Sequence, residues 1–260
     1  MIQIQFSHAN GFPASAYRPL LNKLYGEVHA IEEMGEKLTI TRKDGYQRLG
    51  DELIETIEKR NRGPVIGIGH SAGALTTLFA AQKRPDLFLD TILIDPVLMH
   101  PTKRWAYAAI SKLGLEDRLS PSGSAERRKQ FFRSKAEARS HWQHKPLYRT
   151  LEPAAFDAFI DAALVLEEQN ALRLRIRPER EAELYRAVIG TVGATFDRVF
   201  GYGIFPKQSQ FMSALDRSWW RQSMPNFEIY CPDGGHLWPL ENTTVAANAI
   251  NHRIALITDH

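Results

Sequence analysis

The segment Pro64–Arg84 constrains the fold more than any other stretch of the chain. Pro64–Ile68 is a short apolar run, Gly69-His70-Ser71-Ala72-Gly73 follows as a tight turn, and Ala74–Arg84 has helical apolar spacing until Pro85 stops it. A G-x-S-x-G pentad between a strand and a helix puts its serine on a sharp, strained turn with the hydroxyl clear of the sheet. Glycines flank it because a Cβ at either place would collide with the neighbouring strand or helix. The helix beyond presents unpaired N–H groups to developing negative charge. Ser71 is thus the candidate nucleophile, and the Ala72 amide a candidate oxyanion donor. An overlapping pattern competes: Gly67, Gly69 and Ala72 fit the dinucleotide fingerprint G-x-G-x-x-A, with Asp90 and Asp95 roughly where a ribose-binding acid falls. That fingerprint usually opens its domain, whereas two strand candidates come earlier here.

Those strands are Ile2–Phe6 and Val28–Ile31, with a helix read over Ala16–Tyr25 between them. Asp44–Lys59 reads as an amphipathic helix with Leu49, Leu53, Ile54 and Ile57 on one face, and Thr91–Ile94 as a strand closing in Asp95-Pro96. Alternating units of this kind predict a mostly parallel sheet covered on both faces. The texture then changes. Residues 97–186 give no strand signal; they are helical, basic and rich in aromatics such as Trp105, Trp142, Tyr148, Phe156 and Phe159. We read them as an inserted helical cap on a core formed by residues 1–96 and 187–260. Strand signals return at Ala187–Val192 and Asn226–Tyr230, and Thr243–Ile257 reads as a final helix.

Composition narrows the function classes. With 43% hydrophobic and 24% charged residues over 260 positions, the chain has the makings of one sizeable core. The single cysteine, Cys231, excludes a disulfide framework and fits a reducing compartment. The N-terminal residues lack the basic and apolar regions of a secretory signal, and Val65–Ala81 is too polar to span a bilayer. A cytoplasmic location is the expectation. The net charge is only +3, yet residues 101–150 hold twelve Lys/Arg against four Asp/Glu. That excess suggests either solvated helices or a surface for an anionic substrate or acidic carrier. No groove-reading motif for nucleic acid accompanies it.

A serine needs a base and an orienting acid. His236, in the glycine-rich loop Asp233-Gly234-Gly235-His236 after the strand ending at Tyr230, is placed to swing over the sheet edge towards Ser71. For the acid, Asp197 follows the Ser…Asp…His chain order, Asp95 at the end of the preceding strand is a rival, and Asp233 is a weaker third. The loop His8-Ala9-Asn10-Gly11-Phe12-Pro13 after the first strand can aim a backbone N–H at an oxyanion, from Asn10 or Phe12. His8 is read as bracing that loop by hydrogen bonding.

Together, HANGFP, GHSAG, LIDP, VGATFD and GGHLWPLE resemble the α/β-hydrolase superfamily over nearly the whole chain outside the cap's details. The resemblance implies an α/β-hydrolase fold with a mostly parallel sheet of about six strands, the two usual opening strands being absent, and a helical cap. It also implies a nucleophile at Ser71, a base at His236, an acid at Asp197, and oxyanion donors from Ala72 and Asn10 or Phe12. The activity it implies is hydrolysis of a carboxylic ester of small or medium, partly apolar character, through an acyl-enzyme and with no metal or organic cofactor. Thioester, amide and carbon–carbon cleavage belong to the same fold, and a non-catalytic ligand-binding protein on the hydrolase scaffold is the rival of another class. Intact Ser71 and His236 weigh against that rival.

Overall fold

A computed structural model describes residues 2–60, 63–118, 120–167 and 171–258. Strand β1 (Gln3–Ser7) leads through a loop and a 3-10 turn (Ala14–Tyr17) into the one-turn helix α1 (Arg18–Leu21), followed by β2 (Glu27–Ala30) and α2 (Gly45–Arg60). Next come β3 (Val65–His70), α3 (Ala72–Lys83) and β4 (Phe88–Ile94). The middle of the chain supplies α4 (Pro101–Lys112), α5 (Ser122–Glu126), β5 (Phe131–Phe132), α6 (Lys135–Trp142), α7 (Pro153–Ala163), β6 (Leu164–Leu166), β7 (Leu172–Leu174) and α8 (Pro178–Arg186). The chain then returns to the main sheet with β8 (Gly201–Ile204), α9 (Ala214–Ser223), β9 (Phe227–Tyr230), α10 (Trp238–Glu241) and α11 (Thr243–Thr258).

The main sheet has six strands in the order β2-β1-β3-β4-β8-β9, and every neighbouring pair is parallel. A parallel sheet must be covered on both sides, and the strands are apolar to match. Ile66, Ile68, Ile92, Ile94 and Ile204 join Ile4 and Phe6 in one buried cluster that includes α11 and the aromatics Phe132, Trp142, Tyr148, Phe156 and Phe159. Val65, Leu93 and Phe205 face the other cluster, built with α2, α3 and α9. The apolar stripe read in α2 is the face it buries: Leu49, Leu53, Ile54 and Ile57 all lie inside. The strand order reverses between β1 and β3, so the crevice beyond their carboxyl ends is the natural ligand position of an open α/β sheet. Five loops meet at that edge, after β1, β3, β4, β8 and β9.

Two sequence readings are corrected here. Ala187–Val192 is not a strand: Ala187–Thr191 winds as a 3-10 helix, with the Thr191 hydroxyl donating to the Val188 carbonyl at 2.7 Å. Ala187 and Gly190 pack against Gly45 and the Lys43 carbonyl at the start of α2, so this run lies on a helix and not in the sheet. The place beside β4 is taken by β8, whose GYGI sequence carries too little apolar signal to announce a strand. Between β4 and β8, where only helices were expected, a small antiparallel sheet forms in the order β5-β7-β6. Its strands are two or three residues long, too short for periodicity to register.

Part of the basic excess of residues 101–150 is compensated by acids elsewhere. Lys103 pairs with Asp216 at 2.6 Å and Lys135 with Asp161 at 2.7 Å, while Arg128 meets Glu181 and Arg139 meets Asp157. All four acids lie outside that segment, which is why a local charge count overstated the free positive surface. Among the described residues no helix is long and apolar enough to cross a membrane.

Candidate active site

Ser71 sits between β3 and α3 with φ 55° and ψ −115°, a conformation non-glycine residues rarely adopt. The surrounding backbone leaves little alternative. A Cβ on Gly69 would stand 2.5 Å from the Gly73 carbonyl oxygen and 2.6 Å from Ala74 Cα. One on Gly73 would overlap the Ser7 carbonyl and lie 2.6 Å from that of His8. Both glycines thus let α3 start hard against β1 and β3. The Ser71 amide donates to the Ile94 carbonyl at 2.9 Å, extending the β3–β4 ladder into the turn and locking it.

One strand over, Asp95 repeats this geometry. It follows β4 directly with φ 43°, and its amide donates to the Ile204 carbonyl at 2.7 Å. The Asp95 carboxylate is fully buried and meets His236 Nδ1 at 2.5 Å. His236 Nε2 lies 2.9 Å from Ser71 Oγ. The tautomer follows from the partners: the carboxylate can only accept from Nδ1–H, so Nε2 is free to accept from the serine hydroxyl. Asp95 Oδ2 also accepts from the Ser209 hydroxyl, and the Phe211 ring covers the imidazole with centroids 4.3 Å apart. Both residues belong to the loop after β8, which is bound to the His236 loop by Lys207–Asp233 and Gln208–Gly234 bonds.

The structure brings Ser71, His236 and Asp95 together and leaves Asp197 out. Asp197 precedes β8 instead of following a strand, so it lies at the sheet edge opposite the one that carries Ser71. Its exposed carboxylate accepts from Gln82 near the far end of α3, at 2.8 Å. Asp233 is also exposed and paired with Lys207 at 3.1 Å. The misreading has a physical source: the acid was sought after a strand at Ala187–Val192 that does not exist.

The loop after β1 is held by its own bonds. His8 is fully buried; its Nε2 accepts from the Met34 amide at 2.9 Å, and its Nδ1–H donates to the Ala9 carbonyl at 2.8 Å. Burial favours this neutral form and lowers the His8 pKa to about 4. The Phe12 amide also donates to the Ala9 carbonyl, at 3.1 Å, which commits it to the turn and leaves Asn10 as the loop's candidate donor. The Asn10 side chain donates to the Glu181 carbonyl of α8 at 2.8 Å. Ala72 is the first residue of α3, where helix amides lack intrahelical partners. Phe12, two residues beyond Asn10, packs on Phe159 at 4.9 Å and stacks on Tyr148 at 5.9 Å, so the loop is anchored in a buried aromatic cluster supplied by the middle segment.

Sequence reasoning missed Ser209, Phe211, Tyr17 and His70. His70 left a trace, as a histidine ending an otherwise apolar strand. The loop residues left none.

A family model described as "Alpha/beta hydrolase family" matches residues 6–249. The chain is 26% identical over 209 residues to the lipase LipV of Mycobacterium tuberculosis, covering 78% of this chain and 73% of that lipase. Among solved structures, E-2-(acetamidomethylene)succinate hydrolase superposes with a TM-score of 0.74 at 17% identity, covering 98% of this chain and 91% of that one. The thioesterase domain from the curacin biosynthetic pathway gives a TM-score of 0.69 at 14% identity, covering 96% and 90%.

Proposed function

We infer that this chain, which belongs to the alpha/beta hydrolase family, is a serine hydrolase that cleaves carboxylic esters of small or medium, partly apolar substrates. One observation carries the reading: Ser71 Oγ stands 2.9 Å from His236 Nε2 while Asp95 holds the opposite ring nitrogen at 2.5 Å. A hydroxyl so placed can pass its proton to the imidazole as it attacks. The identity to a lipase over most of the chain supports a carboxylic ester as the bond and a partly apolar substrate.

The steps follow from the residues. His236 Nε2 takes the Ser71 proton as Oγ bonds to the ester carbonyl carbon, and the carbonyl electron pair moves onto oxygen. The Ala72 and Asn10 amides donate to that oxyanion; one such donor contributes roughly 10²–10³ in rate. Asp95 stabilises the imidazolium, which then protonates the departing alkoxide as the carbon–oxygen bond breaks. Water repeats the sequence on the acyl-enzyme: His236 removes its proton, the acyl–Ser71 bond breaks, and the serine regains a proton.

Labelling with a fluorophosphonate probe tests the reading, with wild type beside Ser71→Ala and the adduct mapped by mass. Labelling confined to Ser71, lost in the variant and accompanied by turnover of p-nitrophenyl esters, is expected. Folded wild type that neither labels nor turns over esters would overturn it.

A further inference from the structure

The residue before the nucleophile is placed to do more than fill a strand end. His70 is fully buried, and each of its ring nitrogens has a partner. Nε2 lies 2.8 Å from the main-chain carbonyl of His236, and Nδ1 lies 2.6 Å from the Tyr17 hydroxyl. A carbonyl can only accept, so Nε2 carries the proton and Nδ1 must accept from Tyr17 O–H. The Tyr17 oxygen in turn accepts from the Ala9 amide at 3.3 Å. Every donor and acceptor is thereby fixed: Ala9 N–H to Tyr17, Tyr17 O–H to His70, His70 Nε2–H to the His236 carbonyl. The run joins the loop after β1, the elbow after β3 and the loop after β9, the three segments that meet at the Ser71 hydroxyl.

We propose that His70 is a positioning residue for the base, in the tautomer that the His236 carbonyl requires and that Tyr17 O–H reinforces by donating to Nδ1. This rests on Ser71 and His236 being the reacting pair. His236 lies just after Gly234 and Gly235, outside any strand or helix, so its main chain has no ladder to hold it. Asp95 secures the far side of the imidazole and His70 secures the backbone behind it. With both ends tied, the ring cannot slide along the loop, and Nε2 stays on the Ser71 oxygen. A misplacement of about 1 Å in such a pair costs roughly 10²-fold in rate.

Neutrality is part of the arrangement. A protonated His70 could not accept from Tyr17, and it would set a charge beside a base that must itself become an imidazolium, the two rings being 5.1 Å apart. Burial first, and His236 second, hold the His70 pKa well below the ordinary histidine value.

Three variants and one spectrum test the proposal. His70→Gln keeps an acceptor and a donor in similar places; His70→Leu keeps volume and neither; Tyr17→Phe removes the hydroxyl that reinforces the tautomer at Nδ1. We expect His70→Leu to lower kcat for p-nitrophenyl esters by about 10²-fold with KM within about twofold, and His70→Gln to recover most of the loss. In histidine-labelled protein, long-range 1H–15N correlation should show His70 as the Nε2–H form in wild type and as a tautomer mixture in Tyr17→Phe, with kcat falling alongside. Wild-type-like kcat in His70→Leu, equal impairment in His70→Gln and His70→Leu, or an Nδ1–H form in wild type would each overturn it. Should His70→Leu fail to fold, the tautomer shift and the kcat of Tyr17→Phe decide. Failure of the hydrolase reading is a separate result, seen as wild type that does not label at Ser71, and leaves the tautomer spectrum to judge the relay on its own.

Discussion

The Asp95 carboxylate reaches His236 Nδ1 at 2.5 Å from the end of β4, the strand beside the one that ends in Ser71. Asp95 and Ser71 are therefore neighbours in the sheet, both at positive φ, and each amide is pinned by the carbonyl of the next strand. His236 arrives from β9, across β8. This layout sets which substitutions should matter.

Asp95→Asn should keep the fold and lose roughly 10³–10⁴ in kcat, because the amide leaves His236 in the wrong tautomer. Asp197→Asn removes only an exposed bond to Gln82 and should change kcat less than about twofold. Steady-state kinetics on the two purified variants decide between the carboxylates. A large loss in Asp197→Asn with little in Asp95→Asn would contradict the assignment.

Gly73→Ala should damage the protein out of proportion to one methyl group. The new Cβ would meet the carbonyls of Ser7 and His8, both main-chain atoms, so β1 or α3 must move. We expect a loss of about 3 kcal/mol or more in urea unfolding and no labelling of Ser71. Stability within about 1 kcal/mol of wild type would show that the elbow is less tightly packed than described.

Stability should fall in mild acid. His8 is fully buried and neutral, its pKa lowered to about 4 by burial, with only partial opposition from its Ala9 bond and from Glu32. In the unfolded chain the same side chain titrates near the ordinary value, about 6.5. The contribution is thus whole above about pH 6.5 and is lost as pH falls towards about 4, on the order of 3 kcal/mol for this group. Buried His70 acts in the same direction. Urea midpoints measured from pH 7.5 down to 4.5 should fall, and fall less steeply in His8→Gln.

Arg128 and Glu181 form an ion pair whose side chains are 18% and 8% exposed, packed against the oxyanion loop at Gly11. Arg128→Met should cost about 3–5 kcal/mol by leaving a buried carboxylate without its partner. Adding Glu181→Leu should restore most of it, since the isolated charge then goes too. Denaturant unfolding of the single and double variants measures the coupling, and additive losses would exclude it.

Much of the site was legible because its chemistry is local. The strand–GHSAG–helix unit, the glycine-rich loop carrying His236 and the alternation of elements each depend on residues close in sequence, and local sterics and periodicity govern them. Asp95 was visible only as a rival. What promotes it is a positive φ and a place beside Ser71, and neither is written in the residues around it. Both acids satisfy the Ser…Asp…His order; Asp197 reads better only while Ala187–Val192 is taken as a strand before it, and that run is a 3-10 helix.

The sequence by itself determined which residues could act: a strained serine between two glycines, a histidine free to swing from a strand end, and a parallel α/β sheet to carry them. Tertiary structure alone decided which carboxylate faces the histidine, which loop amide is left unspent, and that His70 and Tyr17 tie three loops together. Periodicity and turn chemistry are short-range and leave their mark in consecutive residues. Pairing β4 with β8 and seating β9 beside it close long stretches of chain, and that choice is made by the packing of the whole core.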